Sequence, residues 1–261
     1  MVHIAVNGAA GRMGGRILAL ATESGKFSIL GKFDTKENSS AGIRTFSSSS
    51  LEGKNKGVLI DFSSPQGTVM ALQAARKAGW GLVVGTTGLD NQVLESLSEA
   101  SGEIPIVVSS NMSVGVNVML DLLHQAAQKL PKEFKIKITE AHHRHKKDAP
   151  SGTALTLAKE IAAAKDWNIE DLLKAWKAGN INTENSDDNI KMKVVREGEI
   201  VGDHSVLFSG PSEDIEIIHR AKSRDTFALG ALLAAEFLSR KTLGGGWYSM
   251  RDILSSMRRT A

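Results

Sequence analysis

The stretch with the most chemistry in this 261-residue chain is residues 140–154, EAHHRHKKDAPSGTA. Every side chain from His142 to Lys147 can carry positive charge, and the Pro-Ser-Gly-Thr run at 150–153 reads as the opening of a helix. Like charges crowded this way repel, so the cluster is unfavourable unless something anionic visits it. A charge run of this kind is commonly a solvated basic patch. A metal site is a second reading, since histidine is a frequent ligand. On the strand implied by KIKITEA, however, His142 and His143 face opposite sides. Only Glu140, His142 and the more distant His145 could then converge, and no clear carboxylate–histidine framework surrounds them, so no metal is expected. A third reading is a dianion site. Ser151, Gly152 and Thr153 start a helix over 154–164, and helix-start amides hold carboxylate well. Cations beside such a start suit a small substrate with two carboxylates.

A second constellation lies at the N-terminal end. NGAAGRMGG places glycines at 8, 11 and 14. The spacing G-x-x-G-x-x-G is close to the dinucleotide fingerprint G-x-G-x-x-G, and the physics is shared. Glycine lets the chain turn tightly off a strand and lets a pyrophosphate approach the backbone, while the following helix presents free amides to it. Arg12 can add a side-chain contact. Asp34 follows Gly14 by twenty residues, where a carboxylate would accept hydrogen bonds from an adenosine ribose. Two further turns, Gly85-Thr86-Thr87-Gly88 and Ser109-Ser110-Asn111-Met112, close other strands and would extend the same rim.

These groups need a frame. Short apolar strands at 3–6, 28–33, 58–62, 82–84 and 104–108 alternate with helical patterns at 14–24, 66–78 and 90–100. That alternation implies a parallel sheet covered on both faces. After residue 114 the pattern changes to a longer helix at 116–130, a half-exposed strand at 135–139, and strands at 191–195, 200–208 and 215–220. The second half therefore reads as a mainly antiparallel sheet with a helix or two. A final Ala- and Leu-rich helix at 227–239 could return to the first sheet, and 36–50 and 178–189 read as polar loops. His124, His204 and His219 lie outside the basic cluster and read as structural.

Composition narrows the possibilities. Apolar residues make up 41% of the chain, which supports a sizeable core and opposes global disorder. A net charge of +3 without a basic stripe does not suggest nucleic acid. The chain has no cysteine, which excludes disulfides, thiolate metal sites and cysteine nucleophiles. The opening MVHIAVNG lacks a signal-peptide pattern, and no apolar run is long enough to span a bilayer. The expectation is a cytoplasmic protein without membrane partners.

EAHHRHKKDAPSGTA resembles the signature E-x-H-H-x-x-K-x-D-x-P-S-G-T-A of the 4-hydroxy-tetrahydrodipicolinate reductase (dihydrodipicolinate reductase) family. GAAGRMG, IDFSSPQG, VVGTTG, NMSVGVNVM, GEIVGDH, IHRAKSRDTFALGA and WYSMRDIL are similar to further family landmarks, in family order, over nearly the whole chain. The resemblance implies an α/β fold with a Rossmann-type dinucleotide-binding domain at 1–113 and 224–261. A smaller α+β domain at 114–223 would bind substrate and assemble a homotetramer. It implies an NAD(P)H-dependent oxidoreductase of diaminopimelate and lysine biosynthesis. His142 and Lys146 match the acid–base positions, and His143, Gly152 and Thr153 match the substrate contacts. Gly8, Ala9, Ala10, Gly11, Arg12, Met13, Asp34, Gly85, Thr86, Thr87, Ser109, Ser110, Asn111 and Met112 match the cofactor contacts. Many members carry arginine after the ribose-binding acid where this chain has Thr35, so NADH is expected to serve at least as well as NADPH. Two rivals stand beside this reading. Another nicotinamide-dependent dehydrogenase of amino-acid metabolism would share the glycine turns without needing the HHRHK–SGT arrangement. A non-catalytic nucleotide-sensing protein would have no reason to retain paired proton donors.

Overall fold

The computed structural model describes residues 1–181, 190–240 and 243–257, so residues 182–189 of the expected polar loop lie outside it. The chain starts with β1 (Val2–Asn7), α1 (Arg12–Ser24), β2 (Phe27–Asp34), β3 (Arg44–Thr45), β4 (Val58–Asp61), α2 (Pro65–Ala78), β5 (Gly81–Val84), α3 (Asn91–Ala100) and β6 (Pro105–Val108). It continues with α4 (Val114–Lys129), β7 (Lys135–His142), α5 (Gly152–Ala164), α6 (Glu170–Lys177), β8 (Ile190–Arg196), β9 (Asp203–Ser209) and β10 (Asp214–Arg220). It closes with α7 (Asp225–Leu238), β11 (Gly246–Tyr248) and α8 (Met250–Met257). Two compact units result, one of Met1–Val114 with Arg224–Ala261 and one of Gly115–Ser223.

The first unit is a seven-stranded sheet in the order β11-β6-β5-β4-β1-β2-β3, parallel throughout. Its central strands are apolar on both faces because both are covered. Ile4, Val6, Ile60, Val83 and Val107 pack with Ile17 of α1 and with Ala228, Ala231 and Ala235 of α7. The alternate residues Ala5, Leu59, Leu82, Val84 and Ile106 pack with Ala71 and Ala75 of α2 and with Leu97 of α3. Each Leu or Ile buried this way contributes roughly 1.5–3 kcal/mol, so the two layers fix the sheet firmly enough to hold the turns at its strand ends. The order reverses between β1 and β4, and in open parallel sheets such a reversal opens a crevice for ligands. The last helix does join the first sheet, and β11 and α8 follow it. At three residues, β11 is too short for periodicity to reveal.

The second unit has a four-stranded sheet in the order β10-β9-β7-β8. β10 with β9 and β9 with β7 are antiparallel, but β7 with β8 is parallel, so the sheet is mixed. The reason lies in the connection. After β7 the chain runs through α5 and α6 before returning as β8, and a crossover of that length delivers a parallel neighbour. Strand β7 alternates strictly. Ile136, Ile138, Glu140 and His142 are buried, while Lys135 and Lys137 are exposed. The buried face packs on Met119 and Leu123 of α4, on Leu157 and Ile161 of α5, and on Val206 and Phe208 of β9. Glu140 and His142 thus continue an apolar face with polar groups, which is unfavourable unless those groups are satisfied.

Candidate active site

The first unit gathers three turns at the carboxyl ends of neighbouring strands. Gly8 leaves β1 with φ 81°, a left-handed conformation that glycine adopts without steric cost. Gly14 lets α1 press against that turn, since a Cβ there would run into the Gly8 carbonyl oxygen. Ala9 donates its amide to the Phe33 carbonyl at 2.9 Å, and Ala10 donates its amide to Asp34 Oδ2 at 2.9 Å. The end of β2, with its acid, is thereby fastened to the glycine turn. Gly11 caps α1 without a side-chain hydrogen bond, whereas Ser64 and Asp90 cap α2 and α3 with theirs. The first turn of α1 therefore keeps its amides free of a capping side chain, the arrangement that suits a phosphate. Asp34, the glycine turn and the uncapped helix fit a dinucleotide. The Gly85 amide bonds to the Asp61 carbonyl at 2.9 Å and the Ser109 amide to the Val84 carbonyl at 3.0 Å, which sets the other two turns on the same edge. Thr86 is buried, with its hydroxyl engaged inside the protein, while Thr87 and Ser110 are exposed.

In the second unit the chemistry centres on Glu140. Its Oε2 accepts from His142 Nδ1 in a short contact. Its Oε1 accepts from Arg196 at 2.8 Å and from the Ser151 amide at 3.1 Å. Burial alone would raise the Glu140 carboxyl, but His142 and Arg196 outweigh it and hold the pKa down at about 2. With an ionised carboxylate as its partner, His142 Nδ1 is the donor of that bond. Gly202 clears space at His142 Nε2, since a Cβ on it would come within 3.1 Å of that atom. Lys146 is fixed differently. Its ammonium pairs with Asp148 at 2.7 Å, and its side chain is 22% exposed against 9% for His142. Burial raises the Asp148 carboxyl, yet Lys146 outweighs it and the net direction is down. The amide of His143 bonds to the Ile200 carbonyl at 2.7 Å, its carbonyl accepts from the Lys146 amide at 3.1 Å where the chain turns, and its ring lies 6.3 Å from that of His145.

Several expectations need correction. His145 does not join Glu140 and His142, because the chain leaves the strand after His142 and His145 is exposed. His204 joins them instead. It faces Glu140 in the β7–β9 register and packs edge-on to His142 at 5.2 Å between ring centroids. Burial, then repulsion from His142, lowers its pKa to about 3, so His204 stays neutral beside the charged groups. Ser151 is not an open helix-start amide, because its N–H serves Glu140 and its hydroxyl caps Ala154. Gly152, exposed, and Thr153, half-buried, begin α5 as expected. Ligand atoms of Glu140, His142 and His204 lie within 4.8 Å of one another, a spacing a metal ion could use. Both Glu140 oxygens are already engaged, Oε2 by His142 and Oε1 by Arg196 and the Ser151 amide, so the cluster reads as a hydrogen-bonded network.

Comparison with known proteins decides the family. Residues 2–112 match the model of the dihydrodipicolinate reductase N-terminus, and residues 115–254 match that of its C-terminus. The chain belongs to the dihydrodipicolinate reductase family. The 4-hydroxy-tetrahydrodipicolinate reductase of Nitrosomonas eutropha is 39% identical over 97% of this chain and 98% of its own length. That of Pseudoalteromonas translucida is 40% identical over 96% of this chain and 97% of its own length. Among solved structures, a dipicolinate-bound dihydrodipicolinate reductase from Paenisporosarcina sp. TG-14 superposes with a TM-score of 0.76. It is 19% identical and covers 95% of this chain and 97% of its own, a likeness of fold. Within this family's signature, Glu140 and Asp148 were visible as letters but not as partners. Arg196 and His204 reach the site from β8 and β9; His204 closes the GEIVGDH landmark, yet nothing local ties either residue to Glu140.

Proposed function

We propose that this chain catalyses the NAD(P)H-dependent reduction of 4-hydroxy-tetrahydrodipicolinate to tetrahydrodipicolinate, an oxidoreductase step of diaminopimelate and lysine biosynthesis in the cytoplasm. The observation that carries the reading is one loop. His142, oriented by Glu140, and Lys146, held by Asp148, lie on the segment that runs from β7 into the start of α5. The substrate is a six-membered imine ring flanked by two carboxylates; its 4-hydroxyl leaves as water to give a conjugated system, which takes up the hydride and becomes the enamine. His143 and the Gly152–Thr153 start of α5 hold carboxylate. Lys146, the more exposed of the two acid–base groups, protonates the carbon side of the enamine, and His142 works through Nε2. The nicotinamide, when bound, supplies the hydride. Gly8 to Met13, Asp34, Gly85 to Thr87 and Ser109 to Met112 form its seat in the dinucleotide-binding domain of residues 1–113 and 224–261. The substrate domain of residues 114–223 also carries the assembly surface of a homotetramer. In support, the edge strand β10 exposes Ile215 and Ile218 with the acids Asp214 and Glu216, while Lys135, Lys137 and Lys193 stand exposed on β7 and β8 of the same sheet. Acidic and basic strands on one sheet give two copies complementary surfaces, and light scattering at micromolar concentration is expected to return a tetramer. No helix among the described residues is long and apolar enough to cross a membrane. The test of function is oxidation of NADH or NADPH with freshly made hydroxytetrahydrodipicolinate. Turnover is expected, and its absence with a folded protein would overturn the reading.

A further inference from the structure

Asp61 ends β4 and is fully buried. Four neutral side chains donate to its carboxylate. Asn7 Nδ2 at 2.7 Å and Ser63 Oγ at 2.6 Å meet Oδ1; Thr68 Oγ1 at 2.6 Å and Thr86 Oγ1 at 2.8 Å meet Oδ2. The donors come from four places: the last residue of β1, the turn after β4, the first turn of α2, and the turn after β5. Two of these places adjoin the dinucleotide rim. Asn7 immediately precedes Gly8, and Thr86 lies within the Gly85–Thr87 turn. Asn7 and Asp61 are also register partners across β1 and β4, where the strand order reverses.

Burying a carboxylate is unfavourable, and an apolar residue would close a sheet end more cheaply. The hydrogen bonds show what the acid provides instead. The Thr86 hydroxyl accepts from the Ser63 amide at 2.9 Å and donates to Asp61, so both of its roles are used inside the protein. Thr86 therefore anchors its turn, and the turn meets a ligand through its backbone and through Thr87. Asn7 is held likewise, since its amide group also reaches the Ser63 hydroxyl at 3.1 Å. One carboxylate thus sets the turn after β1 and the turn after β5 in a single frame.

We propose that Asp61 is a positioning residue for nucleotide binding, tying the Gly8 and Gly85–Thr87 turns together so that their amides meet the dinucleotide in a preset arrangement. The proposal rests on the reading of the first unit as the NAD(P)H-binding domain.

The experiment measures direct binding of NADH and NADPH, together with thermal stability, in the full-length protein and in D61N, T86V, T86S and T68V. D61N is expected to weaken nucleotide binding by about tenfold or more while KM for hydroxytetrahydrodipicolinate stays within about twofold. T86V is expected to behave like D61N, T86S to restore affinity, and D61N/T86V to bind no worse than D61N alone, because the hydroxyl acts through the carboxylate. T68V removes a donor of the same kind from the first turn of α2. It should lower the melting temperature yet leave nucleotide affinity within about twofold. Wild-type affinity in D61N with a lowered melting temperature would make Asp61 merely structural. If D61N fails to fold, equal affinities of T86V and T86S overturn the proposal by themselves. A wild-type protein that binds neither nucleotide overturns the cofactor reading and this inference with it, whereas tight wild-type binding retained in D61N overturns the inference alone.

Discussion

Asp61 and Glu140 are both carboxylates with no exposed surface, each at or near the end of a strand, yet their surroundings differ in kind. Asp61 receives four neutral donors, and burial pushes its carboxyl up against their pull. Glu140 receives an imidazole, a guanidinium and one amide, and the two side chains hold it at about 2 despite burial. Neutral donors fix positions and leave the local charge nearly unchanged. Cationic partners fix the charge itself, and with it the protonation state of whatever they touch. We propose that one unit holds a molecule still and that the other moves a proton. If so, changes around Glu140 should appear in kcat and in pH dependence, and changes at the glycine-turn rim should appear in affinity.

The largest expected effect is at Lys146. Lys146→Ala removes the proposed proton donor and leaves Asp148 on an exposed loop. We expect kcat to fall by roughly 10²–10⁴-fold, the range of a lost general acid, with nucleotide affinity unchanged. Steady-state kinetics on a protein of unaltered melting temperature provide the check. A rise in KM with kcat intact would mark Lys146 as a binding residue and break the division between the two regions.

A smaller effect concerns pH. His204 is held at about 3 in the fold against an ordinary 6.5, and Glu140 at about 2 against 4.5. Below pH 6.5 the unfolded chain takes up a proton that native His204 refuses, so unfolding free energy falls as pH falls. Below 4.5 Glu140 adds a loss of the same sign, since the native carboxylate also refuses its proton. The stability of this site is thus fully present near neutrality and is lost toward acid. Asp61, with its carboxyl raised, works in the opposite sense and favours the fold at acid pH. His204→Gln should flatten the dependence between pH 6.5 and 4.5 by up to about 1.4 kcal/mol per pH unit, read from urea unfolding at several pH values. An unchanged slope would mean that other groups, the lowered His219 among them, carry the acid sensitivity.

The same contrast explains how much was legible in the sequence. The glycine turn, α1 and Asp34 are local signals: strand, glycine spacing and acid follow one another within one βαβ unit. That His142, His143, Lys146, Gly152 and Thr153 lie near one another is legible for the same reason, since they share one segment. What escaped is built from partners distant in the chain. Asn7 and Asp61 meet only because β1 and β4 are neighbours, and Thr86 reaches Asp61 only because β5 lies beyond. His204 meets Glu140 through the antiparallel register of β9, and Arg196 through the parallel return of β8. His145, weighed only in the metal reading that was set aside, would have needed the extended backbone to continue past His142. The Lys146 amide bonds back to the His143 carbonyl at 3.1 Å and turns the chain there, and the amides of His143 and Arg144 tie the turn to Ile200 and Gly198.

The last and smallest effect sharpens the affinity side of the comparison, at Thr35. Asp34 is already shared, with Oδ1 accepting from the Thr35 amide at 2.8 Å and its hydroxyl at 3.3 Å, and Oδ2 accepting from Ala10. A ribose 2′-hydroxyl can donate into such a carboxylate, whereas a 2′-phosphate brings negative charge beside it. Compensation must come from nearby cations, and two candidates are engaged elsewhere. Lys32 reaches the Ala41 carbonyl at 3.4 Å, and the Arg44 guanidinium lies over the Phe33 ring, 5.4 Å from its centroid. Arg12 and Lys36 are exposed, and as mobile surface charges they attract phosphate weakly and in a salt-dependent way. NADH should therefore serve at least as well as NADPH. Thr35→Arg sets a planar fork of donors next to Asp34, and we expect it to move the ratio of kcat/KM values toward NADPH by about tenfold, or about 1.4 kcal/mol. Both cofactors measured in both proteins, at low and high salt, decide it. A wild type that already prefers NADPH by more than about tenfold would show that Arg12 and Lys36 form a phosphate site without residue 35. In that case charge, and not only neutral donors, would govern the cofactor side as well.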